Sequence, residues 1–231
     1  MLDFDLHGGS DPLGTFPLFL KSTSDVLAPR LSEVFRRLVC RSSFPACWRQ
    51  ANVTPIPKGP PSSSVANYRP ISVTSVLSTV FERLVSVRLR RFMECSGVLA
   101  TTQFAYRKGL GTCDALLCVS HTVQSSLESG QEAKIVQIDF SAAFDRVNHQ
   151  GIVYKPFCGH WRSCVVYINT VSIKSIAARC GGRLCDKSKL VNVVSGVPQG
   201  SILGPLMFLL SPRSLFSFSR ITWSVMQMTP L

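Results

Sequence analysis

Two carboxylates six residues apart, Asp139 and Asp145, stand in the stretch VQIDFSAAFDRVNH. Asp139 closes the apolar run KIVQIDF, which reads as a short buried strand that delivers a carboxylate at its carboxyl end. A hard cation such as Mg²⁺ takes oxygen ligands from a rigid support, so Asp139, with the Phe140 carbonyl beside it, is a candidate metal site. Asp145 falls on the helix expected over SAAFDRVNHQGI, a turn or more further on, so the two carboxylates need not share a site. The plain alternative makes Asp139 a helix N-cap and Asp145 a surface acid, and the pair alone fits that at least as well.

Two other groups carry chemistry of their own. In SGVPQGSILGP, glycines flank a Pro-Gln pair, so the backbone can approach a ligand closely while Gln199 offers an amide. The same residues also read as an ordinary strand-to-helix turn. In PIPKG and NYRP, Lys58 and Arg69 sit on neighbouring β-prone segments, where two cations suit a triphosphate. Taken singly, each is a solvated surface charge.

The elements that would position these groups follow from periodicity. Leu27, Leu31, Val34, Phe35 and Leu38 lie at helical spacing, with Arg30, Arg36 and Arg37 among them, which predicts an amphipathic helix with a basic side. NVTPIPKGPPSSSVANYRPISVTS predicts strand, loop, strand. Helical period returns from Val76 to Phe92, and again in CDALLCVSHTVQSSLESG, where Gly130 is a C′ stop. LVNVVSGVPQGSILGPLMFLL predicts a strand, a Gly/Pro turn and an apolar helix. Strands and helices in this order predict α/β or α+β layers. Residues 156–186, with four cysteines and no clear period, and residues 211–231 break the pattern.

Charge points to the partner. Lys and Arg number 25 against 13 acids, giving a formal charge of +12, so a polyanion such as nucleic acid is expected. Nine cysteines with no CxxC pair and no zinc spacing fit reduced thiols in an intracellular compartment. MLDFDLHGGSDPLG has no apolar leader, and ILGPLMFLL is about half the length of a membrane span. A nuclear or cytoplasmic protein, neither secreted nor in a membrane, is therefore expected.

The order of these parts is more specific than any one of them. FPACWRQANVTPIPKG, NYRPISVTSVLSTVFERLVSVRL, TTQFAYRKGLGTCDALL, VQIDFSAAFDRVNHQGI and SGVPQGSILGPLMFLL together resemble the reverse transcriptase of non-LTR (LINE-type, jockey-like) retrotransposons, over about two-thirds of the chain. The resemblance implies a right-hand polymerase fold, with fingers over residues 50–130 after a helical lead-in at 1–49. It implies a partial palm over 131–210, starting near Lys134 on a small antiparallel sheet, and no thumb. It makes Asp139 the first metal-binding aspartate and Phe144 the aromatic that packs under the incoming sugar. Lys58 and Arg69 then grip the triphosphate, and Gln199 touches the nascent base pair and template. The partners implied are an RNA template, a DNA primer and deoxynucleoside triphosphates. The implied chemistry is two-metal nucleotidyl transfer, in which one Mg²⁺ activates the primer 3′-hydroxyl and the other neutralises the leaving pyrophosphate.

That chemistry needs a Tyr-Ala-Asp-Asp hairpin about twenty residues after GPLMFLL, yet residues 211–231 hold no Asp and no Glu. The genetic code accounts for this. Let Ser224 to Pro230 be encoded TCG GTT ATG CAG ATG ACT CCA; triplets starting on the last base of the Ser codon read Gly-Tyr-Ala-Asp-Asp-Ser. Methionine has a single codon, so the alanine and the second aspartate are forced, and only the first aspartate depends on Gln227 being CAG. Residues 157–185, read one base later with suitable codons, resemble the family's link between DFSAAFD and GVPQGS. The expectation is a frameshifted copy, with residues 156–186 and 211–231 out of frame and Asp139 too few ligands for two Mg²⁺ ions. The competing expectation is a non-catalytic basic RNA- or DNA-binding remnant of the fingers.

Overall fold

The computed structural model describes residues 11–60, 63–97, 99–137, 143–148, 175–178, 191–193 and 195–210. Helices α1 (Pro17–Ser22) and α2 (Ser24–Arg41) lead through a 3₁₀ turn at Ala46–Arg49 into strand β1 (Gln50–Pro57). A loop with a second 3₁₀ turn at Val65–Asn67 returns the chain as β2 (Tyr68–Thr74). Then come α3 (Val76–Cys95), α4 (Thr112–Glu128), β3 (Ser175–Ala178) and α5 (Gly204–Leu210). Mixed helices around a small sheet make an α+β fold, as expected.

The sheet has the order β2-β1-β3. β1 and β2 are antiparallel, with Ala51 opposite Thr74 and Pro57 opposite Tyr68, so the strand-loop-strand expectation holds. The inner half of β1 buries Ala51 and Val53, while Thr54 to Pro57 are exposed. Pro55 faces Pro70 in this outer half, where a missing N–H costs no buried ladder bond. The hairpin is therefore anchored at one end and projects into solvent at the other. β3 pairs with β1 in parallel, Gln50 opposite Ser175, so part of the segment with no clear period is a strand. Backbone pairing to an open strand edge asks little of side chains, which is why periodicity gave no sign of it.

Helix α3 is the spine. Its inward stripe of Ser78, Phe81, Glu82, Ser86, Leu89 and Met93 serves two cores. Phe81 packs with Phe35 of α2, Phe44 and Trp48, ring centroids 5.4 Å apart for Phe35–Phe81 and 5.8 Å for Phe44–Phe81. Leu89 and Met93 pack with Val147, Val197, Leu203 and the apolar face of α5. In α2, Leu31, Phe35 and Leu38 turn inward as the spacing predicts, while Val34 is exposed. The amino end of α3 is capped from a distance: Asp11 Oδ2 accepts the Val76 N–H at 2.8 Å, while the buried Ser75 hydroxyl has no partner. Helix α4 ends as predicted, with Gly130 at φ +72° donating to Leu127 O while Gln131 donates to Ser126 O.

Three expected elements differ. Residues 131–137 carry no regular structure, and Ile135 and Val136 are 60% and 76% exposed, so the buried strand leading to Asp139 is not formed over its described part. A strand needs paired neighbours, and the described residues place none beside it. Residues 143–146 form turns rather than the expected helix. Ahead of the Pro-Gln turn, residues 191–193 make no strand, and Gln199 forms only an isolated parallel bridge to Ile71.

Candidate functional site

The turn in SGVPQGS is held between two backbone surfaces. On one side, Gly196 N donates to Val147 O and Val197 N to Phe144 O, both at 2.9 Å, and Ser195 Oγ donates to Asp145 O at 3.3 Å. Gly196 has φ +87°, and a Cβ there would lie 2.9 Å from the Asp145 Cα and carbonyl oxygen. On the other side, Gln199 O accepts Ser72 N at 2.7 Å. Gly200 has φ +108°, and its Cβ would lie 3.0 Å from Ser72 O. Both glycines are thus required by left-handed backbone and by close approach to the protein's own chain. The sequence pattern signalled close approach, and the surfaces approached are β2 and the segment around Asp145.

This arrangement brings Asp145 and Gln199 together, Gln199 Nε2 donating to Asp145 Oδ1 at 3.3 Å. Asp145 is therefore not on a helix; it is an exposed acid whose carboxylate accepts from Gln199. The cleft between β1, β2 and the turn has a volume of about 220 Å³, with Val53, Pro70 and Val193 as apolar walls and Asp145, Ser72 and Gln199 as polar ones. That is below the roughly 300–1,000 Å³ of whole small-molecule sites.

Phe144 is half-buried beside it. Its ring stacks on Phe208 of α5 at 5.2 Å and 12° and meets Tyr106 edge-on at 6.3 Å. Tyr106 itself stands at φ +61°, unusual for a bulky side chain. Its backbone is pinned, because Arg90 Nη1 donates to Tyr106 O at 3.3 Å. Next to it, Arg107 forms a forked pair with Glu94 at 2.6 and 3.1 Å and donates to Ala100 O and Gln103 O.

Lys58 and Arg69 share one end of the hairpin. Lys58 N donates to Asn67 O and Lys58 Nζ to Ala66 O, both at 2.8 Å, so the ammonium helps close the loop. Arg69 is exposed on β2, opposite Ile56. Asp139 and Phe140 lie outside the described residues, and so does the whole of residues 211–231. Among the described residues no group of three or more His, Cys, Asp or Glu is placed to hold a metal ion. The carboxylate at the cleft, Asp145, is engaged by Gln199, and on the described residues that donor set does not make a site for two Mg²⁺ ions.

The residue that sequence reading missed is Glu82. It is 4% exposed, and its Oε2 accepts Ile202 N at 3.0 Å and Leu203 N at 3.3 Å. Burial pushes its carboxyl up to about 7, against the pull of those two amides and the Ser78 hydroxyl. The signal was present: Glu82 falls four residues from Ser78 and Ser86, on the inward face of an apolar helix.

The chain is thus an α+β fold in which a projecting hairpin bearing Lys58 and Arg69 receives a glycine-tight Pro-Gln turn at its base. The chain belongs to the reverse transcriptase (RNA-dependent DNA polymerase) family, which it matches over residues 56–220, and within it to the non-LTR type. It is 34% identical over 188 residues to the probable RNA-directed DNA polymerase from transposon X-element of Drosophila melanogaster, covering 78% of this chain and 20% of the relative. It is 30% identical over 181 residues to the RNA-directed DNA polymerase from mobile element jockey of the same fly, covering 77% and 19%. It is 28% identical over 182 residues to the Pol polyprotein from the type-1 retrotransposable element R2 of Popillia japonica, covering 78% and 25%. The chain thus spans about a fifth to a quarter of the length of these relatives. No helix among the described residues is long and apolar enough to cross a membrane.

Proposed function

We propose that this chain is the fingers and part of the palm of an RNA-directed DNA polymerase from a non-LTR retrotransposon, in a copy that binds nucleic acid and does not polymerise. The observation that carries the reading is the docking of the Pro-Gln turn onto the base of the hairpin, Ser72 N to Gln199 O at 2.7 Å. It joins NYRPIS to GVPQGS, so Gln199 meets the same strand, β2, that carries Arg69. The net charge of +12 favours a phosphate backbone as partner. On this reading Lys58 and Arg69 face phosphate, Phe144 lies under the sugar, Gln199 meets the base pair, and Asp139 with the Phe140 carbonyl is the surviving part of the Mg²⁺ site. The frame slips near Pro156, recovers near Asp186 and slips again near Ser211, and the last slip accounts for the lost carboxylates. The protein would act inside the cell, on an RNA template, a DNA primer and deoxynucleoside triphosphates.

The test pairs two assays on the full chain. Primer extension on an RNA template with Mg²⁺ or Mn²⁺ gives no templated product, while the same RNA binds with an affinity that falls as salt rises. Templated DNA synthesis would overturn the inactive reading, and salt-independent or absent RNA binding would overturn the nucleic-acid reading altogether.

A further inference from the structure

Helix α5 is seven residues long, too short to hold itself, and its first turn has backbone N–H groups with no partner inside the helix. Two side chains take the amides there. Ser201 Oγ accepts Gly204 N at 2.9 Å, and Glu82 Oε2 accepts Ile202 N and Leu203 N from a helix some 120 residues away in sequence. Glu82 Oε1 lies 3.5 Å from Ser78 Oγ, at the outer limit of a hydrogen bond.

A carboxylate is a poor choice for packing. Its neighbours on the α3 stripe include Phe81, Leu89 and Met93, all nearly fully buried, and burying an acid there costs free energy that a leucine would not. What the acid supplies is an acceptor for two amides in a row. Those amides stand three and four residues after Gln199, within the same tight turn. From the turn the connection continues to Ser72 on β2 through Gln199 O and to Asp145 through Gln199 Nε2. Both arms bracket the cleft, so an error at residues 202–203 is an error at its wall.

We propose that Glu82 is a positioning residue for the Pro-Gln turn, fixing Gln199 at the cleft by anchoring Ile202 and Leu203 to α3. Its functional half rests on the nucleic-acid role given above to Gln199. Glu82 touches neither template nor nucleotide; it acts through the turn.

The experiment is amide hydrogen exchange on the full chain, alongside RNA binding followed by fluorescence anisotropy. Glu82→Gln keeps an acceptor oxygen at the same reach, and Glu82→Leu removes it while keeping an apolar volume. Glu82→Leu should lose about tenfold or more of the protection of residues 199–204, as expected for losing two buried hydrogen bonds, and should bind RNA more weakly. Apart from Ser72, whose N–H is held by Gln199 O, exchange in the β1–β2 hairpin should stay as in the wild type, and Glu82→Gln should restore both quantities. Unchanged protection of 199–204 in Glu82→Leu overturns the proposal. So does lost protection with unchanged RNA affinity, which would separate the turn from binding. Failure of the underlying reading looks different, because the wild type itself would then not bind RNA. Should Glu82→Leu not fold, the wild type still decides: Ile202 and Leu203 amides must be among the slow exchangers of the chain, and fast exchange at both overturns the anchor.

Discussion

Gln199 Nε2 donates to Asp145 Oδ1 across 54 residues of chain, and the backbone beneath that contact leaves no room for a side chain at Gly196. Gly196→Ala would bring a methyl carbon to 2.9 Å from the Asp145 backbone and force a non-glycine residue to φ +87°. Strain and overlap together should cost about 2–4 kcal/mol. Urea unfolding should show a lower midpoint with an unchanged slope. A midpoint equal to the wild type would mean that the two segments are not held this close.

Much of the frame that surrounds this contact was legible. The Val76–Phe92 period, the Pro-rich hairpin and the Gly130 stop are local signals, set by side-chain spacing and turn chemistry, and each has its counterpart in the structure. The anchors were not legible, because they are long-range: Asp11 caps a helix 65 residues away, and Glu82 holds amides 120 and 121 residues away. The strand before Asp139 failed for a related reason. KIVQIDF has a strand's composition, but a strand exists only with partners, and composition says nothing of whether they are in place.

Glu82 makes stability depend on pH in a direction opposite to most carboxylates. Its folded-state value of about 7 lies above the ordinary 4.5, so the folded chain holds this proton more tightly than the unfolded chain. The stabilisation is complete below about pH 4.5 and is lost as pH rises through about 7, by an amount on the order of 3 kcal/mol. Ser78 and the two amides face the carboxyl, and among the described residues no cation pairs with it. Thermal melts should therefore show Tm falling between about pH 5 and pH 8 in the wild type. Glu82→Gln should flatten that fall, and equal slopes for the two proteins would remove Glu82 as its source.

Arg69 and Lys58 should appear as phosphate contacts rather than as readers of sequence. Arg69 is exposed, and Lys58 Nζ has further N–H donors beyond the one on Ala66 O. Replacing either by Ala should weaken binding alike for RNAs of different sequence, and should reduce the slope of log K against log salt by about one. Anisotropy titrations between roughly 50 and 200 mM salt measure it. A mutant with reduced affinity but an unchanged slope would show that its charge never met a phosphate.

The tail makes the sharpest prediction, because it concerns a gain. Residues 211–231 contain no acid, whereas the neighbouring frame supplies two adjacent aspartates across Met226–Thr229 when Gln227 is encoded CAG. Restoring the frame across residues 156–186 and from Ser211 onward should therefore return two carboxylates to the chain. With Asp139, these would make a set of hard oxygen ligands of the kind Mg²⁺ and Mn²⁺ require. Calorimetric titration with Mn²⁺ should show tighter binding to the restored chain than to the present one. Asp139→Asn in the restored background should abolish the gain, since all three carboxylates are needed. Equal Mn²⁺ affinity in present and restored chains would mean that the restored pair does not complete the metal site, and a CAA codon at Gln227 would mean that the tail never encoded it.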